Sequence, residues 1–342
     1  MNQFKRIFIA AAMLLVVQVL PAQDYKLSQF YNGPISLNPA LTGRTHGLYR
    51  FVANYRNQFA PVSNPSAYST IAASLDFGLL REQMAGNILG LGMQIVNLND
   101  GAGSLKTTMA LLSASYHLGL GYELEHYLSI GFQAGIVQRR LDLASLYFQS
   151  QFTGSGFDQS IDPGENFART KILYPSLNAG LFWSSNFSDL ISTYAGASLY
   201  RLVKPKESFF DAPNERDFRI NVHGGATFDI KQFLMINPNA IYSKQSENDH
   251  VIIGSQFGFN LSGRGEPYET TIYVGSWYDF DQAIIANAGI QYKGVQLGMS
   301  YDITTGDIQN ATGGNGAFEL SLIYESKPIS TRRGAPLMCP KF

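Results

Sequence analysis

From about residue 48 to residue 325 the chain alternates apolar and polar residues in long runs, and this period of two constrains the fold most. Phe218, Ile220, Val222, Gly224, Ala226 and Phe228 interleave with Arg219, Asn221, His223, Gly225 and Thr227. Val251, Ile253, Ser255, Phe257, Phe259 and Leu261 do the same with Ile252, Gly254, Gln256, Gly258 and Asn260, and Val295 to Ile303 repeat it. Successive side chains of a strand point to opposite faces, so each run is a strand with one apolar and one polar face. The polar face is mostly uncharged, built from Gly, Asn, Gln and Ser. The runs reach about 10 to 13 residues, longer than an ordinary strand of about 5 or 6 and close to what a tilted strand needs to cross a bilayer. Aromatic residues gather at their ends: Tyr68, Phe77, Phe228, Tyr242, Trp277, Tyr278, Tyr292, Tyr301, Phe318 and Tyr324. Interfacial girdles of a membrane barrel belong there. A soluble β-sandwich is the competing fold.

The alternation divides into about fourteen segments, near 48–58, 68–80, 86–98, 106–120, 127–141, 172–186, 190–203, 218–230, 233–245, 250–262, 268–279, 283–293, 295–303 and 317–325. The expected fold is therefore all-β, a transmembrane antiparallel barrel of about 14 strands. The connections support the count. Counting from the first strand, the odd gaps include 59–67, 143–171, 204–217 and 304–316, and the even gaps are short. Bacterial outer-membrane barrels have even strand numbers, long outside loops and short periplasmic turns. Closure also removes the exposed sheet edges that an all-β chain must otherwise protect.

Composition agrees. Charged residues are 15% of the 342, where a soluble domain carries about 25%. A net charge of -1 and 45% hydrophobic residues argue against a disordered chain, and this near-neutral balance leaves no basic footprint for nucleic acid. Residues 1–22 have the pattern of a secretory signal peptide: Lys5 and Arg6, an apolar stretch from Ile7 to Val17, then Leu20-Pro21-Ala22. The single cysteine, Cys339, forms no internal bridge, and both a reactive and a packing role stay open for it.

Sites of chemistry are sparse. The histidines, His46, His117, His126, His223 and His250, are scattered without metal-ligand spacing, so no metal or cofactor is expected. Gly101-Ala102-Gly103 before Lys106-Thr107 lacks the order of a phosphate loop, and Gly90 and Gly92 within a strand point to close packing. A membrane hydrolase would need Ser and His on one outward face; Ser115 and His117 are the best pair, without a nucleophile elbow. No enzyme activity is expected.

The loops differ in kind. At about 29 residues, 143–171 exceeds ordinary connections. It carries Tyr147, Phe148, Phe152 and Phe157 with Asp158, Asp162 and Glu165, and the loop 204–217 carries Phe209, Phe210 and Asp211. Exposed loop aromatics suggest a partner surface, and a loop folded into the lumen is the equal alternative. The acidic trio lacks the spacing of an EF-hand.

Motifs stand at the two ends. Ser28-Gln29-Phe30-Tyr31 is followed by Leu37-Asn38-Pro39-Ala40, the first strand holds Asn54-Tyr55-Arg56-Asn57-Gln58-Phe59, and the chain closes on Cys339-Pro340-Lys341-Phe342. In these residues the sequence resembles the PorP/SprF family of type IX secretion system membrane proteins. Lys341 stands where the family commonly has Arg, and Phe59 where Trp is commoner. The resemblance implies an outer-membrane barrel of a Bacteroidota-type envelope, working with the type IX secretion and gliding motility machinery. It implies as partners a secreted adhesin, whose type IX C-terminal domain the barrel receives and holds, and a periplasmic OmpA-like peptidoglycan-binding lipoprotein. The family-motif residues are then Ser28, Gln29, Tyr31, Asn38, Pro39, Asn54, Tyr55, Arg56, Cys339, Pro340 and Phe342. Bracing the barrel and meeting a partner are both open roles for them. The expected layout is a signal peptide at 1–22, a periplasmic segment or plug at 23–47, the barrel at 48–325 and a periplasmic tail at 326–342, so that both termini are periplasmic. A diffusion porin or hydrophobic-substrate channel is the alternative function.

Overall fold

A computed structural model describes residues 25–59, 68–81, 84, 86–101, 105–121, 125–143, 146–165, 167–188, 190–210, 215–230, 233–262, 269–280, 282–306 and 309–327. The signal-like residues 1–22, Asp211 and the closing Cys339, Pro340, Lys341 and Phe342 lie outside them.

Fourteen antiparallel strands close into one barrel. They are β1 Tyr49–Gln58, β2 Tyr68–Leu79, β3 Ile88–Asp100, β4 Leu105–Leu120, β5 His126–Leu141, β6 Lys171–Ser188 and β7 Ile191–Tyr200. The circuit continues with β8 Arg219–Ile230, β9 Leu234–Gln245, β10 Asn248–Asn260, β11 Thr270–Asp279, β12 Ala283–Tyr292, β13 Val295–Thr304 and β14 Asn315–Glu325. β1 pairs with β14 in a register that sets Arg56 opposite Glu319 and Asn54 opposite Ser321. The strands match the sequence segments in number and order. β7 is the shortest relative to its segment because Arg201 takes a positive φ of 61°, and its backbone N–H turns to the Asn178 side chain instead of a ladder partner. The β12–β13 hairpin turns on Lys293 and Gly294, both at positive φ, as a two-residue turn matched to strand twist requires.

The wall is inside out. Along β4 and β5, Leu112 and Phe132 face outward with 67% and 54% of their surface exposed, while Ser113, Ser115, Ser129 and Gln133 are buried in the interior. Water would penalise such an apolar exterior; lipid does not, and closure satisfies every ladder hydrogen bond without an edge. Aromatic groups sit at both rims, Tyr49 with Phe77 and Tyr324 at one, Phe59 with Tyr68 and Tyr278 with Phe280 at the other. Trp277 departs from the girdle expected of it. Adjacent residues of a strand point oppositely, so with Tyr278 outside, Trp277 is inside, stacked on Tyr31 at 4.7 Å with its Nε1 donating to Asn239.

The two mouths differ. One carries the connections 142–170 and 201–218 and is here the long-loop end; the other carries the even-numbered connections, including 189–190 and 293–294. An even strand count returns Glu325 to the end where Tyr49 begins. The segment from Tyr25, however, runs inside the barrel. It bonds to β1, β13 and β14 on one side and to β3, β4, β6 and β7 on the other, and only an element within the lumen can reach all of them. Tyr25 and Lys26 lie at the long-loop end, where the Tyr25 carbonyl accepts from Arg219 at the start of β8 and Lys26 pairs with Asp279 at the end of β11. Arg44 and Thr45 lie at the opposite end, against Ser184 and Arg81. Tyr25 and Ser326 are therefore at different mouths.

Candidate functional site: a filled lumen and a capped mouth

Inside the barrel the segment makes three short turns, Phe30–Asn32, Pro34–Leu37 and Pro39–Leu41. Pro34 and Pro39 open the second and third, where their missing N–H is not needed. The Asn38 side chain caps the third by accepting from the Ala40 N–H at 2.9 Å. Phe30, Tyr31, Leu37, Ala40 and Leu41 pack with Phe182, Tyr194, Ile241, Ile252, Trp277 and Ile285 of the wall into a core at the centre of the lumen.

Polar anchors flank that core. Near the long-loop end, Glu319 accepts from the backbone N–H groups of Ser28 at 2.7 Å and Gln29 at 3.0 Å. Arg56 pairs with Asp302 at 2.9 Å and Glu319 at 3.4 Å, and the Ser28 hydroxyl donates to Asp302 at 2.7 Å. The cluster is buried, and the Glu319 carboxylate is tolerated there because a guanidinium and two N–H groups share its charge. Gln29 continues the network to Asn32, Asn287 and Ser321. In mid-lumen the Asn38 amide donates to the carbonyls of Leu181 and Ala197 and meets His223 at 3.2 Å. At the short-turn end Asp76 accepts from the Gly43 N–H at 2.6 Å and from Arg50 at 2.9 Å, and Arg50 also donates to the carbonyls of Leu41 and Arg44.

The wall makes room for the segment. A Cβ on Gly131 would stand 2.4 Å from Pro39 and Ala40 backbone atoms, and one on Gly90 would stand 2.1 Å from the Thr42 carbonyl. Side chains at these two positions would push the segment out of the lumen.

The structure thus brings Ser28, Gln29, Asn54 and Arg56 into one region, with the Asn54 amide 3.5 Å from the Asn32 carbonyl. Tyr31, Asn38 and Pro39 are buried further along the segment, and Tyr55 points outward, its hydroxyl accepting from Asn57. Sequence reasoning missed Asp302, Glu319, Asp76 and Arg50, which complete the anchors. Their signal was a charge at an inward register position, the single charge of β2 and of β13 and one of two in β1 and in β14.

Ser115 and His117 are hydrogen-bonded at 3.0 Å, but face the lumen and not the lipid. The Thr42 carbonyl occupies the approach, 2.6 Å from the Ser115 hydroxyl and 2.8 Å from His117 Nε2, and Nδ1 meets Ser129 rather than a carboxylate. This arrangement holds the segment and leaves no place for an ester.

At the long-loop mouth the two long connections form one cap. The Ala168 N–H donates to the Phe209 carbonyl, Phe167 lies 4.6 Å from Phe210 and 5.9 Å from Phe148, and Phe209 packs against Val137, Ile172 and Tyr174. Glu207 receives Arg139, Arg216 and Tyr174 beneath it. Phe148 and Phe209 thus brace the cap, whereas Tyr147, Phe152 and Phe157 form a trio at 5.2–5.4 Å on its surface, Tyr147 being 63% exposed. The acidic residues of this loop shape its turns: Asp158 accepts from the N–H and hydroxyl of Ser160, which hold its carboxyl below the usual range, and Asp162 accepts from the Gly164 N–H. Among the described residues no group of three or more His, Cys, Asp or Glu is placed to hold a metal ion.

An apolar exterior, aromatic rims and a closed antiparallel circuit define an integral membrane β-barrel of the outer-membrane type. Residues 19–324 match the family model of the type IX secretion system membrane protein PorP/SprF. The chain belongs to that family, and is a component of type IX secretion in the outer membrane. No curated protein sequence matches it. Among solved structures it is similar to the CymD monoaromatic hydrocarbon channel, at 10% identity and TM-score 0.50 over 88% of this chain and 94% of that one. The toluene transporter TbuX of Ralstonia pickettii gives 9% and 0.48 over 86% and 92%, and a Pseudomonas aeruginosa FadL homologue 11% and 0.47 over 86% and 94%. At these identities the likeness is one of fold alone.

Proposed function

We propose that this barrel is a docking platform and not a pore: it receives a secreted adhesin through its type IX C-terminal domain and holds or helps export it at the cell surface. The observation that carries the reading is the filled lumen. A core of aromatic and aliphatic side chains between Tyr31 and Trp277 and three sets of polar anchors occupy the path that a diffusion porin leaves open. Long loops of outer-membrane barrels face outward, so the cap built from 142–170 and 201–218 faces the exterior. In this orientation Tyr25 lies at the exterior mouth and Ser326 at the periplasmic one, the side on which a peptidoglycan-binding lipoprotein would meet the barrel.

Tyr147, Phe152 and Phe157, together with the exposed Phe210 of the second loop, supply the aromatic surface for the cargo, because exposed aromatic side chains on a braced scaffold lose little entropy on binding. Deleting residues 146–158 while keeping barrel insertion is expected to release the adhesin into the medium. Retention of the adhesin on cells carrying that deletion would refute the assignment.

A further inference from the structure

A cavity of about 70 Å³ lies at the long-loop end of the lumen, between the inner segment and β8, β9 and β10. None of the interactions that anchor the segment fills it. Phe30, Ile241 and Ile252 form an apolar floor, Lys26 and Arg219 a cationic rim, and among the described residues no carboxylate lines it. A water needs roughly 10–15 Å³ of such space, so several linked heavy atoms fit.

Each polar group is held in place. The Arg219 guanidinium donates to the Tyr25 carbonyl at 3.3 Å and lies over the Tyr200 ring at 4.4 Å. Lys26 is paired with Asp279. Asn221 is only 4% exposed, and its side-chain oxygen has no hydrogen-bond partner. A buried acceptor without a donor is destabilising and marks a place that a ligand N–H satisfies.

We infer that this cavity binds the apolar C-terminal residue of a polypeptide. Three features of that group match three features of the wall. Its carboxylate meets the cationic rim at Arg219, its side chain covers Phe30, Ile241 and Ile252, and its backbone N–H reaches the Asn221 oxygen. A free apolar acid offers the first two and lacks the N–H. The inference extends the docking reading, which it needs only for the identity of the polypeptide. Short peptides therefore test it separately from adhesin release.

The test is calorimetric titration of the full chain in lipid nanodiscs with acetyl-Gly-Leu as free acid, as the C-terminal amide, and with 4-methylpentanoic acid. The free acid peptide is expected to bind, with both other probes at least about tenfold weaker. Ile252→Trp, which fills the floor, and Asn221→Leu are expected to weaken the peptide by a similar factor. Heat-modifiable electrophoretic mobility confirms that each variant is a folded barrel. Equal binding of acid and amide, or no binding of the acid up to about 10 mM, would overturn the inference. Binding of 4-methylpentanoic acid as tightly as the peptide would overturn the polypeptide assignment in favour of a free acid.

Discussion

Glu319→Ala tests the strongest anchor of the inner segment. The substitution removes the acceptor of two backbone N–H groups, Ser28 and Gln29, and leaves Arg56 with Asp302 and the Ser28 hydroxyl. Each stranded N–H costs about 1–3 kcal/mol, and removing one member of a buried ion pair about 3–5 kcal/mol. These overlap in one cluster and do not add, so about 3–4 kcal/mol is expected. At about 1.4 kcal/mol per factor of ten, local opening of the segment should rise by about 10² to 10³. The barrel ladders are untouched, because Glu319 keeps its backbone pairing with Arg56 and Ser300. Hydrogen exchange read by mass spectrometry on the full chain separates the two. The peptide spanning 26–33 is expected to lose protection by that factor, and peptides of β4 and β5 to keep theirs. Glu319→Gln, which retains one acceptor oxygen, should fall between. Unchanged protection at 26–33, or an equal loss throughout the barrel, would refute the reasoning.

Gly131→Val sets a side chain against the Pro39–Ala40 backbone, where a Cβ already stands at 2.4 Å, and should lower stability by about 1–3 kcal/mol in a urea unfolding series while 26–46 exchanges faster. Ser115→Ala removes a hydrogen bond to the Thr42 carbonyl and should cost about 0.5–1.5 kcal/mol, with phospholipid hydrolysis absent from both proteins; hydrolysis lost on substitution would reinstate an enzyme.

The barrel was legible because its physics is local and periodic. A period of two, runs long enough for a bilayer and the alternation of long and short connections follow from consecutive residues. The interior was less legible because its logic is not local. Ser28 reaches Asp302 and Gln29 reaches Ser321, partners nearly the whole barrel away in sequence. Ser28, Gln29, Asn32 and Asn38 are polar, as loop residues are, and nothing in their spacing says that they are buried. The same holds for Ser115 and His117, whose shared face was readable but whose inward direction depended on the register of β4 between β3 and β5. Trp277 shows the local rule applied too coarsely: position near a strand end suggested a girdle, whereas its parity with Tyr278 requires the lumen. In the loops, aromatic content marked the right segments, but which rings brace the cap and which stand exposed depends on contacts between 142–170 and 201–218 that composition does not encode.

The central claim is that the lumen is filled and the barrel works as a platform. Conductance of the purified full chain in planar lipid bilayers tests it most directly. The account predicts insertion, confirmed by heat-modifiable mobility of the reconstituted protein, with almost no steady current. A stable, ohmic, porin-sized conductance from the intact chain would contradict it.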